Sequence, residues 1–199
     1  MGNVSAILTA AGKSTRMECS KLLLEWNGTT LLEYGASSLC LPSVSEVVVV
    51  LGHQSDHLEI PDSDPRVRYV VNERYEIGRS ESIKYGLSHI NQLSENILLL
   101  GVDQPRTPEI ISRIVDSHLS KRSLITSPRF RGKGGHPLMF SGALKEQLAT
   151  INEDTQGMRE IFRRYREKVT NIELQDPMVC LDINTPEQYI QAKEMYSVH

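Results

Sequence analysis

The chain has 199 residues, of which 39% are hydrophobic and 24% charged, with a formal net charge of -3. This size and composition predict one globular domain over residues 1–199, and the negative charge argues against general nucleic-acid binding. No stretch has the length and apolarity of a membrane span, and the three cysteines lack metal-ligand spacing. We therefore expect a cytoplasmic protein with reduced thiols and with neither nucleic acid nor a membrane as partner.

The first predicted element is an apolar strand over residues 4–8 that runs into small residues and spaced cations. The strand is followed by Thr9, Ala10, Ala11 and Gly12, and then by the cations Lys13, Arg16 and Lys21. Small side chains let backbone N–H groups approach anionic oxygens closely, so this segment is suited to polyphosphate. Residues 12–15 resemble the end of a P-loop, but Ile7 stands where its first glycine would be, which excludes that wide loop.

Beyond this segment, short apolar runs alternate with helical patterns, which is typical of one α/β domain with buried, mostly parallel strands. The predicted strands are 46–51, 67–71, 97–102 and 124–127. Apolar residues share one face in the predicted helices 80–90 and 108–119, and Thr107 with Pro108 marks the start of the second.

Asn72 and Ser80 flank a turn before the first of these helices. A carboxamide can pair with a base edge or a ribose, and a helix beginning at Ser80 offers backbone N–H donors. A turn followed by a helix N-cap explains the same residues without a ligand.

Two aspartates are candidate ligands of Mg²⁺, which prefers carboxylate oxygen. Asp103 follows the predicted strand 97–102, at the end where α/β sheets collect their ligands, although it could instead cap the turn made with Pro105. Asp182 lies on a predicted short strand before a helix that Thr185, Pro186 and Gln188 mark as beginning there. It could supply a second ligand to the same ion.

The glycine-rich, cationic segment 129–140 predicts a substrate loop. Its Arg131 and Lys133 can attract a phosphate, and His136 can hydrogen-bond or transfer a proton near neutral pH, although a lone histidine is more often structural. Further on, Arg159 begins a predicted helix, where its guanidinium can bind a phosphate in a bidentate manner or lie on a solvated face.

These segments together resemble the nucleotidyltransferase family that includes the molybdenum cofactor cytidylyltransferases and guanylyltransferases. The family's opening pattern is close to L-A-A-G-x-S-x-R-M-x-x-x-K, which residues 10–21 match, with Thr9 and Glu18 as departures. Asp-Gln-Pro at 103–105, Gly-His-Pro at 135–137 and the segment 182–189 follow in the family's order, with Asn184 in place of an aspartate.

The resemblance implies a Rossmann-like three-layer nucleotidyltransferase fold with a mostly parallel central sheet. It also implies Mg²⁺-dependent transfer of CMP from CTP to the terminal phosphate of molybdenum-molybdopterin, releasing pyrophosphate, with a molybdoenzyme or its chaperone as a further partner. Ala10-Ala11-Gly12 favours cytidine, since the guanylyltransferase branch shows A-G-G there. GTP, a sugar or isoprenoid phosphate acceptor, and a non-catalytic nucleotide-binding module stay open as alternatives.

Each candidate residue has a role under this resemblance. Lys13 and Arg16 would neutralise the β and γ phosphates, and Lys21 would stabilise the α-phosphoryl group under attack. The nucleotide would also contact Thr9, Ala10, Ala11, Gly12, Asn72 and Ser80. Asp103 would hold the metal together with Asp182 or, at the position of the family's aspartate, Asn184. His136 and Arg159 would contact the acceptor.

Overall fold

The computed structural model describes residues 3–12, 17, 20–52, 58, 64–154 and 157–196. The strands in these ranges are β1 (Val4–Ala10), β2 (Glu25–Trp26), β3 (Thr29–Thr30), β4 (Val44–Leu51), β5 (Val67–Val71), β6 (Asn96–Gly101), β7 (Ile125–Phe130), β8 (Lys133–Gly134), β9 (Leu138–Ser141) and β10 (Val169–Glu173). The helices are α1 (Leu31–Ser38), α2 (Arg79–His89), α3 (Pro108–Lys121), α4 (Lys145–Ala149), α5 (Met158–Arg164) and α6 (Pro186–Tyr196). None of the helices described is both long enough and apolar enough to cross a membrane.

A central sheet carries the fold, in the order β10-β7-β9-β6-β1-β4-β5, with β8 paired to β7. β1 lies between β4 and β6 and is parallel to both, while β9 is antiparallel to β6 and β7. β2 and β3 form a separate antiparallel hairpin. The predicted mostly parallel α/β sheet is confirmed.

Both faces of this sheet are covered, because the side chains of a strand alternate between its two faces. Ala6 and Leu8 of β1 belong to one buried cluster, to which α1, α3 and α6 contribute residues such as Leu31, Ile111 and Ala192. Ile7 belongs to a second cluster with residues such as Leu87, Leu148 and Ile161 of α2, α4 and α5. The result is three layers, with a helix layer on each face of the sheet.

The predicted helices and strands are found with ends shifted by a few residues, but the short strand predicted at Asp182 is wrong. Residues 181–184 form no strand and follow a 3-10 turn at Pro177–Cys180. The backbone of this segment bonds to a loop, because Leu181 O accepts from Arg106 and Ile183 N–H donates to Asp103 O. The next helix, α6, begins at Pro186 as predicted, where Gln188 N–H donates to Thr185 Oγ1.

Candidate active site

A cleft of about 260 Å³ opens where β1 and β6 end, at the same edge of the sheet. Of the predicted site residues, it is lined by Thr9, Ala10, Ala11, Gly12, Lys21 and Asp103. We call it the first cleft. Lys13 and Arg16 lie outside the described residues, so the structure assigns them no place.

Close packing holds the end of β1 against its neighbours in the sheet. Ala10 and Ala11 are almost fully buried, and a Cβ atom added to Gly52 would lie 2.8 Å from the Cβ atom of Ala11. On the other side, Val102 N–H donates to Thr9 O. Residues this small at the end of the strand leave the cleft floor open to a ligand.

Asp103 occupies its place because the neighbouring Gly101 has no side chain. A Cβ atom on Gly101 would lie 2.5 Å from Asp103 Oδ1. The other oxygen, Oδ2, is 3.9 Å from Lys21 Nζ, which also donates a 3.1 Å hydrogen bond to Asn184 Oδ1. The predicted cation and the predicted carboxylate are thus brought together, with Asn184 beside them.

Gln104 connects Asp182 to His136, and no local sequence pattern predicts this role. Its side chain is buried, and its Oε1 accepts a hydrogen bond from Gly101 N–H over 2.9 Å. Its Nε2 donates to Asp182 Oδ1 at 2.9 Å and lies 3.0 Å from His136 Nδ1. One carboxamide therefore fixes Asp182 and His136 relative to the end of β6.

Arg106 donates hydrogen bonds to the backbone of the same region, and the sequence did not predict this role. Its side chain is fully buried and donates hydrogen bonds of 2.8–3.0 Å to the carbonyl oxygens of Pro105, His136, Val179 and Leu181. Burial lowers the pKa of Arg106 to about 10, so the guanidinium stays charged at neutral pH. A charged donor of this kind satisfies several buried carbonyls at once.

His136 is neutral at physiological pH, which favours the hydrogen-bonding alternative for its ring. Burial first, and then the positive charges of Arg79 and Arg106, lower the pKa of His136 to about 3. The uncharged ring lies beside the Gln104 carboxamide, with 3.0 Å between His136 Nδ1 and Gln104 Nε2.

A second cleft of about 230 Å³ lies next to the first and shares Thr9 and Arg79 with it. His136 and Arg159, the two predicted acceptor contacts, both line this second cleft. Ser80 lies here as well rather than in the first cleft, and its backbone N–H donates to Glu153 Oε1 over 2.7 Å.

The other candidate residues that the structure describes line neither cleft: Asn72, Arg131, Lys133, Asp182 and Asn184. Asn72 is buried, and its carboxamide bonds to Ser82 Oγ and to the backbone N–H of Arg74. Arg131 and Lys133 belong to the exposed β7–β8 hairpin, where Arg131 stacks on Phe130. The predicted substrate loop is therefore mainly a hairpin, and of its predicted polar residues only His136 lines a cleft.

The carboxylates fit a magnesium ion of the kind that substrate phosphates help to bind. No group of three histidine, cysteine or acidic side chains is gathered within the described ranges. Asp103 lines the first cleft. Gln104, the next residue in the chain, donates a hydrogen bond to Asp182. One or two carboxylates combined with nucleotide phosphates are a common set of Mg²⁺ ligands.

Comparison with known proteins assigns the chain to a family. The family model described as the MobA-like NTP transferase domain matches residues 6–169. The chain belongs to this family. As a MobA-like protein it is a nucleotidyltransferase.

Two curated relatives match this MobA-like chain over nearly its full length. A molybdenum cofactor cytidylyltransferase of Escherichia coli (strain K12) is 27% identical, covering 99% of this chain and 99% of the relative. A nicotine blue oxidoreductase of Paenarthrobacter nicotinovorans is 29% identical, covering 93% and 94%.

Solved structures of a Mycobacterium tuberculosis H37Rv protein share the fold at 24% identity. One superposes with a TM-score of 0.81, covering 96% of this chain and 98% of that one. Another, a complex with manganese, has a TM-score of 0.74 and covers 98% and 100%.

Proposed function

We propose that this nucleotidyltransferase transfers CMP from CTP to the terminal phosphate of molybdenum-bearing molybdopterin and releases pyrophosphate. The observation that carries the proposal is the pair of adjoining clefts that share Thr9 and Arg79. The first cleft, with Lys21 and Asp103, suits the nucleotide, and the second, with Arg159, suits a phosphorylated acceptor. The full-length similarity to a molybdenum cofactor cytidylyltransferase supports this choice of substrates.

In the proposed reaction an oxygen of the acceptor phosphate attacks the α-phosphorus of CTP. A new P–O bond forms there, the bond from the α-phosphorus to the bridging oxygen breaks, and pyrophosphate leaves with the electron pair. The protein contributes positioning and charge neutralisation, which dominate in reactions of this type. Lys21 stabilises the charge that develops on the α-phosphoryl group, and Lys13 and Arg16 neutralise the β and γ phosphates.

The bound metal in this proposal is Mg²⁺, held by Asp103 and Asp182. When bound, it supplies positive charge to phosphate oxygens. Gln104 keeps the Asp182 carboxylate in place by its 2.9 Å hydrogen bond. Lys21, 3.9 Å from Asp103, keeps a positive charge beside the carboxylate.

Cytosine is the proposed base because of the small residues at the end of β1. Ala11 packs against Gly52, so its methyl group fills space that a glycine would leave open. We expect Ala11→Gly to raise kcat/KM for GTP relative to kcat/KM for CTP.

Pyrophosphate release tests the proposal directly. The protein is assayed with Mg²⁺ and each of CTP, GTP, ATP and UTP, with and without molybdenum-loaded molybdopterin. We expect release with CTP alone and only when the pterin is present. Release with GTP instead would contradict the base assignment, and pterin-independent release would contradict the acceptor.

Asp103→Asn tests the role of the carboxylate, with Asp116→Asn on the exposed face of α3 as the matched control. We expect the first variant to lose about 100-fold or more in kcat, the loss typical when one key electrostatic contact is removed, and the control to keep wild-type activity. Equal activity of the two variants would contradict the metal assignment.

A further inference from the structure

We propose that Arg79 contacts both substrates, binding a phosphate of the nucleotide on one side and the anionic group of the acceptor on the other. This inference rests on the proposed function and adds a residue to it. Arg79 lines the first cleft together with Lys21 and Asp103, and it lines the second together with His136 and Arg159.

Two close glycine contacts fix where Arg79 lies. Gly78, which precedes it, has a φ of 139°, and a Cβ atom there would lie 2.7 Å from Glu153 Cγ. Gly157 has a φ of 56°, and a Cβ atom there would lie 2.8 Å from Ser80 Oγ. Glycine alone adopts these backbone conformations without strain and leaves room for these contacts. The start of α2 and the start of α5 can therefore approach closely, and Arg79 and Arg159 line the same cleft.

Glu153 determines which groups are left to bind an anion in the second cleft. Its carboxylate accepts the backbone N–H of Ser80 and so occupies a donor in the first turn of α2. An acceptor phosphate is therefore repelled from that helix end and directed to the two guanidinium groups.

Arg79 itself is available for such a contact. Its side chain is exposed, and it makes no hydrogen bond or ion pair with any part of the chain that the structure describes. Its positive charge is one cause of the lowered pKa of His136, which lines the second cleft. A guanidinium has donors on several edges, so one side chain can hold two phosphates that must approach each other.

The test compares Arg79→Gln with Arg74→Gln. Arg74 is a suitable control because it is exposed, lies five residues earlier, forms an ion pair with Glu81 and lines neither cleft. For each variant, calorimetry with Mg²⁺ measures the affinity for whichever of the four nucleotides the wild type binds. A second titration measures the affinity of the nucleotide-saturated protein for inorganic phosphate, which represents the acceptor's anionic group.

We expect Arg79→Gln to lower the affinity for the nucleotide and the affinity for phosphate by about tenfold or more each, the typical effect of losing a charged hydrogen bond. We expect Arg74→Gln to change neither affinity. The melting temperature of both variants should stay at the wild-type value because both side chains are exposed. Unchanged affinities in Arg79→Gln, or a loss for one ligand only, would overturn the bridging role.

The two proposals fail in different ways. A wild type that binds CTP and turns it over, with unchanged affinities in Arg79→Gln, would retain the proposed function and reject the bridging arginine. A wild type that binds none of the four nucleotides would reject both.

Discussion

Lys21 Nζ donates a 3.1 Å hydrogen bond to Asn184 Oδ1 and lies 3.9 Å from Asp103 Oδ2. Lys21, which follows β1 in the sequence, therefore contacts two residues from distant parts of the chain, Asp103 after β6 and Asn184 before α6. Asn184 stands where the resembling family has an aspartate, so its neutral carboxamide reduces the negative charge of the site by one.

Asn184→Asp should strengthen the binding of divalent metal. The change adds a carboxylate within contact of Lys21 and close to Asp103, and Mg²⁺ and Mn²⁺ both prefer such oxygen ligands. We expect the half-saturating Mn²⁺ concentration, measured in the presence of nucleotide, to fall several-fold. Asn171→Asp on β10, where Asn171 contacts Arg129, makes the same chemical change away from the clefts and should have no effect. Weaker or unchanged binding in Asn184→Asp would show that residue 184 does not face the metal.

Gly101→Ala should displace Asp103. The added methyl group would lie 2.5 Å from Asp103 Oδ1, closer than real contacts allow, and 3.2 Å from Gln104 Oε1, which is a tight contact. We expect Mn²⁺ affinity and pyrophosphate release both to fall about tenfold or more, since a small misplacement of a positioning group is costly. Gly134→Ala is the control because a Cβ atom there meets nothing within 4 Å. If both variants bind metal like the wild type, the Asp103 carboxylate is not a ligand.

Arg106→Lys should destabilise the fold. Lysine cannot reproduce the planar set of donors that Arg106 directs at four carbonyl oxygens, so buried acceptors lose their partners. We expect the free energy of unfolding in urea to fall by about 2–4 kcal/mol. Arg66→Lys is a useful comparison, because Arg66 also donates to backbone carbonyls but its side chain is 33% exposed, so water can replace the lost bonds. A loss in Arg106→Lys no larger than in Arg66→Lys would contradict this role.

Stability should fall as the solution becomes acidic, because two buried histidines resist protonation. Burial lowers the pKa of His118 to about 4, and burial with nearby arginine charges lowers the pKa of His136 to about 3. The unfolded chain binds protons below about pH 6.5 and the folded chain does not, so this stability is fully present above pH 6.5 and is lost as pH falls toward 4 and 3.

The free energy of unfolding should change with pH by up to about 1.4 kcal/mol per pH unit for each histidine. In His118→Gln, where the carboxamide can still bond to Thr126 Oγ1, urea unfolding between pH 7 and 4.5 should show a shallower dependence on pH. A slope identical to that of the wild type would show that His118 does not carry the effect.

Local sequence patterns predict most of the helices and strands and the positions of the residues at their ends. The apolar runs that became β1, β4, β5, β6 and β7, and the helix that begins at Pro108 after Thr107, follow from patterns within a few neighbouring residues. The placement of Thr9–Gly12 and Asp103 at one cleft follows in the same way, because parallel strands end at a common edge.

Which side chains complete the site depends on contacts between residues that are far apart in the sequence. Gln104 contacts His136 across 32 residues, Ser80 contacts Glu153 across 73, and Arg106 contacts Val179 across 73. Such pairs leave no periodic trace in the sequence, and the same desolvation that makes His136 neutral arises only when the chain is folded around it. The predicted strand at Asp182 was wrong for the same reason: its backbone hydrogen bonds go to Asp103 and Arg106, far away in the chain, rather than to a neighbouring strand.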